Sequence, residues 1–329
     1  MAIMSRTLIV ELDEEDPKEI KRLTRKEKKN PGVTAIYRNN IKLHNEALQE
    51  YLPKYWKLHD KIEFRKPAEV WALIKAKDEN YAILQVAEHQ EAQVHLRGAY
   101  TFSVYTFSIY LAERAKQIYR WQIDRVNEIS DKDGKVVGAK IYKGKYVFKI
   151  SLRSTWLSES DYHFVFKQFE NNINQAAKTG KEAKIMRGEF YIPKIPAARI
   201  NTLKTKTLLI PQEILHEEVT AKELGVIYKH PFEITTLAKE KDILFNTAES
   251  HAFIHYVWSD KHRSFLYMAV DATSGEILAV FSDGSLGFGF VETPLSSSDA
   301  HGLLGFRSTL AMGTLHFKGL NMYINKKTD

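Results

Sequence analysis

The sequence contains no cysteine among its 329 residues. This absence excludes a disulfide scaffold, a cysteine nucleophile and a zinc site built on thiolates. Long apolar runs are also missing, because stretches such as 265–270 have the length of a strand and not the ~18 residues of a membrane span. Arg6 and Glu11 interrupt the apolar N-terminal stretch, so we predict neither a signal peptide nor a membrane span and expect a soluble, cytoplasmic protein.

The composition is that of a globular protein, with 44% hydrophobic and 27% charged residues. Helical and alternating patterns are both present, which predicts an α+β fold. We expect a helix-and-hairpin N-terminal lobe over 1–210, carrying a basic face, and an acidic, mainly antiparallel β lobe over 211–329. We find no internal repeat in the sequence.

Four elements follow from local patterns. A hairpin is predicted from strands 70–76 and 81–87, which flank the turn-forming residues 77–80. Apolar residues at helical spacing predict a long helix from Val104 to about Ile129. A second helix is expected from Ser158 to about Lys178, and successive strands are expected over 252–258, 264–270 and 276–282.

Acidic residues are fewer than basic ones, 41 against 48, which gives a net charge of +7. The excess is unevenly distributed. Residues 130–206 hold 16 basic and 7 acidic residues, whereas residues 207–329 hold 10 and 15. A concentrated basic segment favours a polyanionic partner, and a nucleic acid is the partner we expect.

A basic hairpin is the main candidate for that contact. In strand 145–153 apolar and cationic residues alternate, so one face is expected in the core and the other to meet phosphates, and Lys140 and Lys143 lie on or beside the preceding strand 136–142. Lysine also protects exposed strands from pairing, and a solvated surface is the alternative. The basic helix segment 21–29 is explained equally well in either way. The candidate nucleic-acid-binding residues are Lys140, Lys143, Lys145, Lys149, Arg153, Arg187 and Lys204.

Three carboxylates of the last block offer a second hypothesis, a metal-dependent enzyme that cleaves phosphodiesters or transfers strands. Asp260, Asp271 and Asp283 lie close to consecutive strands, and divalent-metal chemistry needs converging acidic oxygens. Residues 265–281 resemble the strand–turn–strand pattern of integrase and transposase cores. The residues of segment 271–275 also favour a tight turn, and a structural turn is the alternative to a catalytic site.

His251, His255 and Asp260 are the candidate metal ligands, with packed histidines as the alternative. No cofactor is predicted other than a possible divalent metal, and whether the chain is an enzyme stays open. A third hypothesis is a self-assembling subunit, in which the basic and acidic lobes of neighbouring copies make head-to-tail contacts. The same two lobes could instead pair within one chain.

Overall fold

The structure is a computed structural model. It describes residues 3–95, 98–115, 146–152, 157–179, 195–216, 219–246, 248–259, 264–281 and 312–326. The fold is α+β, as predicted, and the chain forms two compact units, Met1–Phe190 and Tyr191–Asp329. The expected boundary at residue 210 falls inside strand Thr207–Pro211, which pairs only with strands of the second unit among its described partners.

The first unit contains five strands and four helices among its described residues. In chain order they are β1 (Thr7–Glu11), α1 (Pro17–Lys26), α2 (Val33–Tyr55), β2 (Ile62–Arg65), α3 (Pro67–Ala76), β3 (Tyr81–His95), β4 (Gly98–Leu111), β5 (Tyr146–Leu152) and α4 (Glu159–Thr179). Strand β1 pairs in parallel with β2 and β3, and β3, β4 and β5 continue as an antiparallel meander. Helix α4 confirms the helix that was predicted over 158–178.

Aromatic side chains fill the space between this sheet and helix α4. Phe166 and Phe169 are fully buried, and both lie against Trp56, with ring centroids 5.6 and 5.8 Å away. Phe148 of β5 meets Phe169 edge-to-face at 4.9 Å. Such pairs add to the large apolar area that each ring buries. This cluster fixes α2 and α4 on one face of the sheet.

The predicted strand over 70–76 is wrong, because this segment is helix α3. Pro67 occupies the first turn, where a missing N–H costs nothing, and the Glu69 carboxylate accepts from the Lys66 N–H at 2.9 Å. Val70 and Ile74 then fall on one helix face and are buried. The hydrophobic spacing is therefore helical.

The predicted helix from Val104 is also wrong over its described part. Strand β4 continues to Leu111, and a short 3-10 turn follows at Ala112–Arg114. Phe107 and Ile109 face α4 while Thr106 and Ser108 alternate with them, and β4 pairs with a strand on each side. Two neighbouring strands satisfy its backbone groups and override the apparent helical spacing.

The second unit contains five strands and four helices among its described residues. They are α5 (Ala197–Asn201), β6 (Thr207–Pro211), α6 (Ala221–Ile227), β7 (Phe232–Thr235), α7 (Leu237–Asn246), β8 (His251–Ser259), β9 (Ser264–Asp271), β10 (Ile277–Phe281) and α8 (Thr314–Lys326). The three predicted strands over 252–282 are confirmed as β8, β9 and β10. Strand β6 pairs in parallel with β7 and β8, and the meander β8–β9–β10 is antiparallel.

The two units share one topology, a structural repeat that does not show in the sequence, where we find no internal repeat. Each unit runs strand, helix, strand, helix, three-strand meander, helix, with the first strand paired in parallel on both sides. Even single hydrogen bonds recur. The Leu8 N–H donates to the Lys61 carbonyl at 2.9 Å, and the Leu208 N–H donates to the Pro231 carbonyl at 3.0 Å.

Candidate nucleic-acid interface

Helix α1 belongs to the first unit but is not part of the topology that the two units share. Only nine residues, 212–220, connect β6 to α6 in the second unit, and they contain a 3-10 turn at Gln212–Ile214. In the first unit the connection also contains α1. The repeated architecture is therefore complete without this helix.

Local signals define both ends of α1. The Asp16 carboxylate accepts from the Lys18 N–H at 2.8 Å, and Pro17 starts the helix. After the helix, the Glu27 carboxylate accepts from the Gly32 N–H at 2.6 Å and from the Thr34 hydroxyl at 2.7 Å. Gly32 has φ of 88°, a left-handed conformation that favours glycine. These contacts turn the chain back into α2.

One face of α1 is cationic, and its opposite face packs against the unit. Leu23 is the buried residue on the inner face. The outer face and the turn after it carry seven basic side chains, which we call the cationic face: Lys18, Lys21, Arg22, Arg25, Lys26, Lys28 and Lys29. Within the described residues, Arg22 is the only side chain of the cationic face that forms an ion pair, and its partner is Glu19. The other six are exposed.

Charge is concentrated in the first unit as a whole. Residues 1–190 contain 34 basic and 26 acidic residues, a net charge of +8, whereas residues 191–329 contain 14 and 15. The unit with the cationic face therefore contains the whole basic excess. The second unit is nearly neutral, which leaves little opposite charge for the head-to-tail hypothesis.

Most of the predicted basic hairpin lies outside the described residues. This applies to Lys140, Lys143, Lys145, Arg153 and Arg187. Lys149 lies in β5 opposite Ser108 and is half-buried. On the same face Ser151 is 2% exposed and hydrogen-bonded to Thr106, so this part of the strand is less exposed than expected, and the contact of the hairpin with phosphates stays a prediction.

Lys204 is exposed in the 3-10 turn that follows α5. The pKa of His230 is lowered by burial and by the nearby charge of Lys204. The position is accessible to a ligand, but it belongs to the second unit and not to the unit that contains α1.

Asp271 ends β9, and its carboxylate has two structural roles. One oxygen accepts from the backbone N–H groups of Thr273 and Ser274 at 3.0 and 2.9 Å, and the other lies 2.9 Å from the Lys206 ammonium. Burial raises the pKa of Asp271, but the Lys206 and backbone hydrogen bonds outweigh burial and hold the pKa below its usual value. Asp260 and Asp283 lie outside the described residues.

The Lys206–Asp271 pair has a counterpart in the first unit. Arg6 precedes β1 as Lys206 precedes β6, and its guanidinium binds Glu113 after β4 at 2.5 Å. Arg6 also donates to the Tyr81 carbonyl, and Lys206 donates to the Glu249 carbonyl. The recurrence indicates that Asp271 joins the first strand of the unit to the end of the second meander strand.

We predict that Asp271→Ala destabilises the second unit by about 1–3 kcal/mol, because the turn amides and the Lys206 ammonium lose their acceptor. Urea unfolding followed by hydrogen exchange of the β6 and β9 peptides measures this loss. Asp242→Ala, at an exposed position of α7, is the matched control. A loss equal to that of the control contradicts the structural role.

Another ion pair joins the basic segment 130–206 to the acidic last block. The Arg199 guanidinium lies 2.8 Å from the Glu276 carboxylate, and both residues belong to the second unit. With Lys206–Asp271, this pair shows opposite charges of the two sequence blocks meeting within one chain.

His251 and His255 share one face of β8, four residues apart. Their Cα atoms are therefore about 13 Å apart, while two nitrogens on one zinc ion lie within about 4 Å. His251 contacts the Ser250 hydroxyl at 3.2 Å, and His255 accepts from the Tyr256 N–H at 2.9 Å. No group of three His, Asp or Glu side chains that could hold a metal ion occurs in the described parts of the chain.

A polar cluster around His44 was missed by the sequence analysis. The His44 ring lies in α2, with its Nε2 3.7 Å from the Asp13 carboxylate and its Nδ1 3.4 Å from the Tyr162 hydroxyl. It stacks on Tyr105, whose hydroxyl donates to the Glu88 carboxylate at 3.4 Å. These five residues come from five separate elements or loops, and no local sequence pattern connects them.

The second unit shows that this cluster is not required by the shared topology. Glu88 and Tyr105 are register partners across β3 and β4, and the corresponding partners across β8 and β9 are Trp258 and Phe265. Those two side chains are buried, with ring centroids 5.1 Å apart. The same position of the fold is thus apolar in one unit and polar in the other.

No protein-family model, curated protein or solved structure matches the chain. Within the residues that the structure describes, none of the helices has the length and apolar character to span a membrane. The functional interpretation therefore depends on the described residues alone.

Proposed function

We propose that the protein binds nucleic acid in the cytoplasm, through contacts between the phosphate backbone and the cationic face of α1. The observation that supports this proposal is the exposure of six basic side chains, four on α1 and two in the turn after it, where the described residues of the second unit contain no corresponding helix. The predicted hairpin residues Lys145, Lys149 and Arg153 stay a prediction for a second contact.

The geometry of the cationic face suits a polyanionic strand. Lys18, Lys21 and Arg25 follow the helical repeat, so their Cα atoms extend over about 10 Å on one side of α1. Phosphates of one strand recur about every 3.4 Å along the duplex axis, which places two or three of them within reach. Helix α1 contains no aromatic residue, so base stacking is not available there and sequence preference is expected to be weak.

A membrane surface is the less favoured polyanion. Interfacial helices bind bilayers by burying an outward apolar face in the headgroup region. The two aliphatic side chains of α1 lie instead on its inner side, with Leu23 buried and Ile20 partly buried. The outer face offers charge without apolar area, which matches the requirements of phosphate-backbone binding.

The test removes four charges from the cationic face. The variant Lys18→Gln, Lys21→Gln, Arg25→Gln and Lys28→Gln is compared with wild type by fluorescence anisotropy, using a labelled mixed-sequence duplex between 50 and 200 mM salt. Each lost phosphate contact lowers the slope of log affinity against log salt by about 1, so a decrease of about 3 to 4 is expected.

The matched control removes the same charge from other exposed sites. Lys57, Lys75, Lys222 and Lys318 are exposed and lie outside α1, so their replacement by Gln should change the slope by less than about 1. Equal effects of the two variants, or no duplex or single-strand binding by wild type, would contradict the proposal. Preferred binding to anionic lipid vesicles would assign the surface to a membrane. The triple variant Lys145→Ala, Lys149→Ala and Arg153→Ala tests the hairpin separately.

A further inference from the structure

Four consecutive carboxylates, Asp13–Asp16, form an acidic loop directly before the cationic face. Such a loop repels phosphates from the start of α1 unless its charges are compensated. Two of its carboxylates lie beside a cationic side chain and a third is held by the backbone. Glu14 lies 3.6 Å from Lys66, Glu15 lies 3.0 Å from Arg38, and Asp16 accepts from the backbone of α1.

The fourth carboxylate has a partner that titrates. Asp13 lies 3.7 Å from the Nε2 of His44, and histidine changes charge between pH 5 and 8. The Asp13 backbone is fixed beside this ring, because its N–H donates to the Asn45 side chain at 2.8 Å and its carbonyl accepts from Asn45 at 3.0 Å. The acidic loop therefore has one compensating charge that depends on pH.

The other groups that face His44 keep one charge over this pH range. Tyr105 of β4 and Tyr162 of α4 have pKa values raised by burial, so both stay neutral. Glu88 of β3 lies behind Tyr105 and accepts from its hydroxyl. Asp13 is the carboxylate in direct reach of the imidazole, and its side chain is 48% exposed.

We propose that proton uptake by His44 strengthens nucleic-acid binding at the cationic face, because the imidazolium compensates Asp13. This inference depends on the proposed function of α1 and concerns its regulation. Bound phosphates in turn favour the charged imidazole, since coupling between two ligands is reciprocal. Acidification and nucleic-acid binding are thus linked through one side chain.

The expected effect is at most about fivefold in affinity. That factor corresponds to the ~1 kcal/mol by which one unit charge acts on another at about 4 Å in water, and the imidazolium acts on the bound phosphates through its compensation of Asp13. Burial lowers the pKa of His44, so the gain is expected below pH 6.5 and not at pH 7.5. The charge of Asp13 acts in the opposite direction and raises the pKa.

The experiment measures duplex DNA affinity at 100 mM salt from pH 7.5 to 5.5, for wild type and His44→Gln. Circular dichroism at each pH restricts the comparison to folded protein. Wild type should gain more affinity than His44→Gln on acidification, by up to about fivefold. Titration calorimetry at pH 6 in buffers of different ionisation enthalpy should show proton uptake on binding by wild type and less by the variant.

A second variant keeps the test decisive if His44→Gln folds poorly. Asp13→Asn removes the carboxylate and leaves the histidine, so binding at pH 7.5 should increase and the acid-dependent gain should disappear. His251→Gln, on the second unit, should match wild type in both measurements. Equal pH profiles and equal proton uptake in wild type and His44→Gln would overturn the inference while leaving the proposed function in place. Absence of binding at every pH would overturn both.

Discussion

Arg6→Met is expected to destabilise the first unit by about 3–5 kcal/mol, because it removes the main counter-charge of a mostly buried carboxylate. The Arg6 and Glu113 side chains are only 9% and 15% exposed, and they form two hydrogen bonds, at 2.5 and 3.1 Å. Burial raises the pKa of Glu113, but the hydrogen bonds and charge of Arg6, with smaller help from a backbone hydrogen bond and from Arg114, hold the pKa below its usual value. Removing Arg6 leaves the cost of burial opposed only by that backbone hydrogen bond and by Arg114, which lies 3.6 Å away and is 70% exposed.

The measurement is urea unfolding combined with hydrogen exchange, which separates β1 and β3 peptides from those of β6 and β8. Arg6→Met should lower protection in the first unit and leave the second unit near its wild-type value. The double variant Arg6→Met with Glu113→Leu should recover much of the loss, because well-packed apolar residues replace buried ion pairs at little cost. A single-variant loss below about 1 kcal/mol would show that the pair is not important for stability.

The comparison of sequence and structure depends on whether a pattern is local. The helix 159–179 and the strands β8 to β10 were predicted because capping residues, alternation and turn residues lie within a few positions of one another. Helix α3 also carried local signals, Pro67 and Glu69, but the apolar run Val70–Ala76 was interpreted by its composition instead of its spacing.

Long-range pairing could not be deduced from the sequence. Strand β4 became a strand because β3 and β5 lie on either side of it, and β5 is separated from β4 by more than thirty residues. The structural repeat was invisible because the units share spacing and register and differ in side chains, as in Glu88–Tyr105 against Trp258–Phe265. Topology tolerates such exchange wherever each pair fits its surroundings.

In the candidate site, too, local features were predicted from the sequence and long-range contacts were not. The basic segment 21–29 was recognised, but the sequence could not decide between a solvated helix and a ligand site, because the answer depends on which face packs inward. The structure buries Leu23 and exposes the lysines. The interaction of His44 with Asp13 joins residues more than thirty positions apart, and the sequence left Asp271 open between a catalytic role and a turn role because its partner Lys206 is distant in sequence.

Acidification from pH 7 to pH 5 is expected to destabilise the first unit by about 4 kcal/mol through two histidines. Burial lowers the pKa of His59 and of His163 to about 4 in each case. His59 is 5% exposed and accepts from the Trp56 indole N–H at 2.9 Å, while His163 meets Tyr55 edge-on at 4.9 Å. Both rings are therefore neutral in the folded unit at pH 5.

The sign follows from the unfolded chain, where histidine has a pKa of about 6.5 and takes up its proton first. The stabilisation that comes from keeping the two histidines neutral is fully present above that pH. It decreases as the pH falls from about 6.5 and is lost once the pH passes the folded-state pKa of about 4. Glu113 and Asp271 have lowered pKa values, so their contributions decrease only under more acidic conditions, below the ordinary carboxyl pKa of about 4.

The measurement is urea unfolding of the first unit at pH 7 and pH 5, for wild type, His59→Gln, His163→Gln and the double variant that combines the two substitutions. His59→Gln retains an acceptor for the Trp56 indole and cannot titrate, so it should remove about half of the acid-induced loss, and His163→Gln should remove a similar part. His251→Gln on the second unit is the control and should leave the loss unchanged. If the double variant loses as much stability as wild type between pH 7 and pH 5, the acid sensitivity does not originate in these two rings.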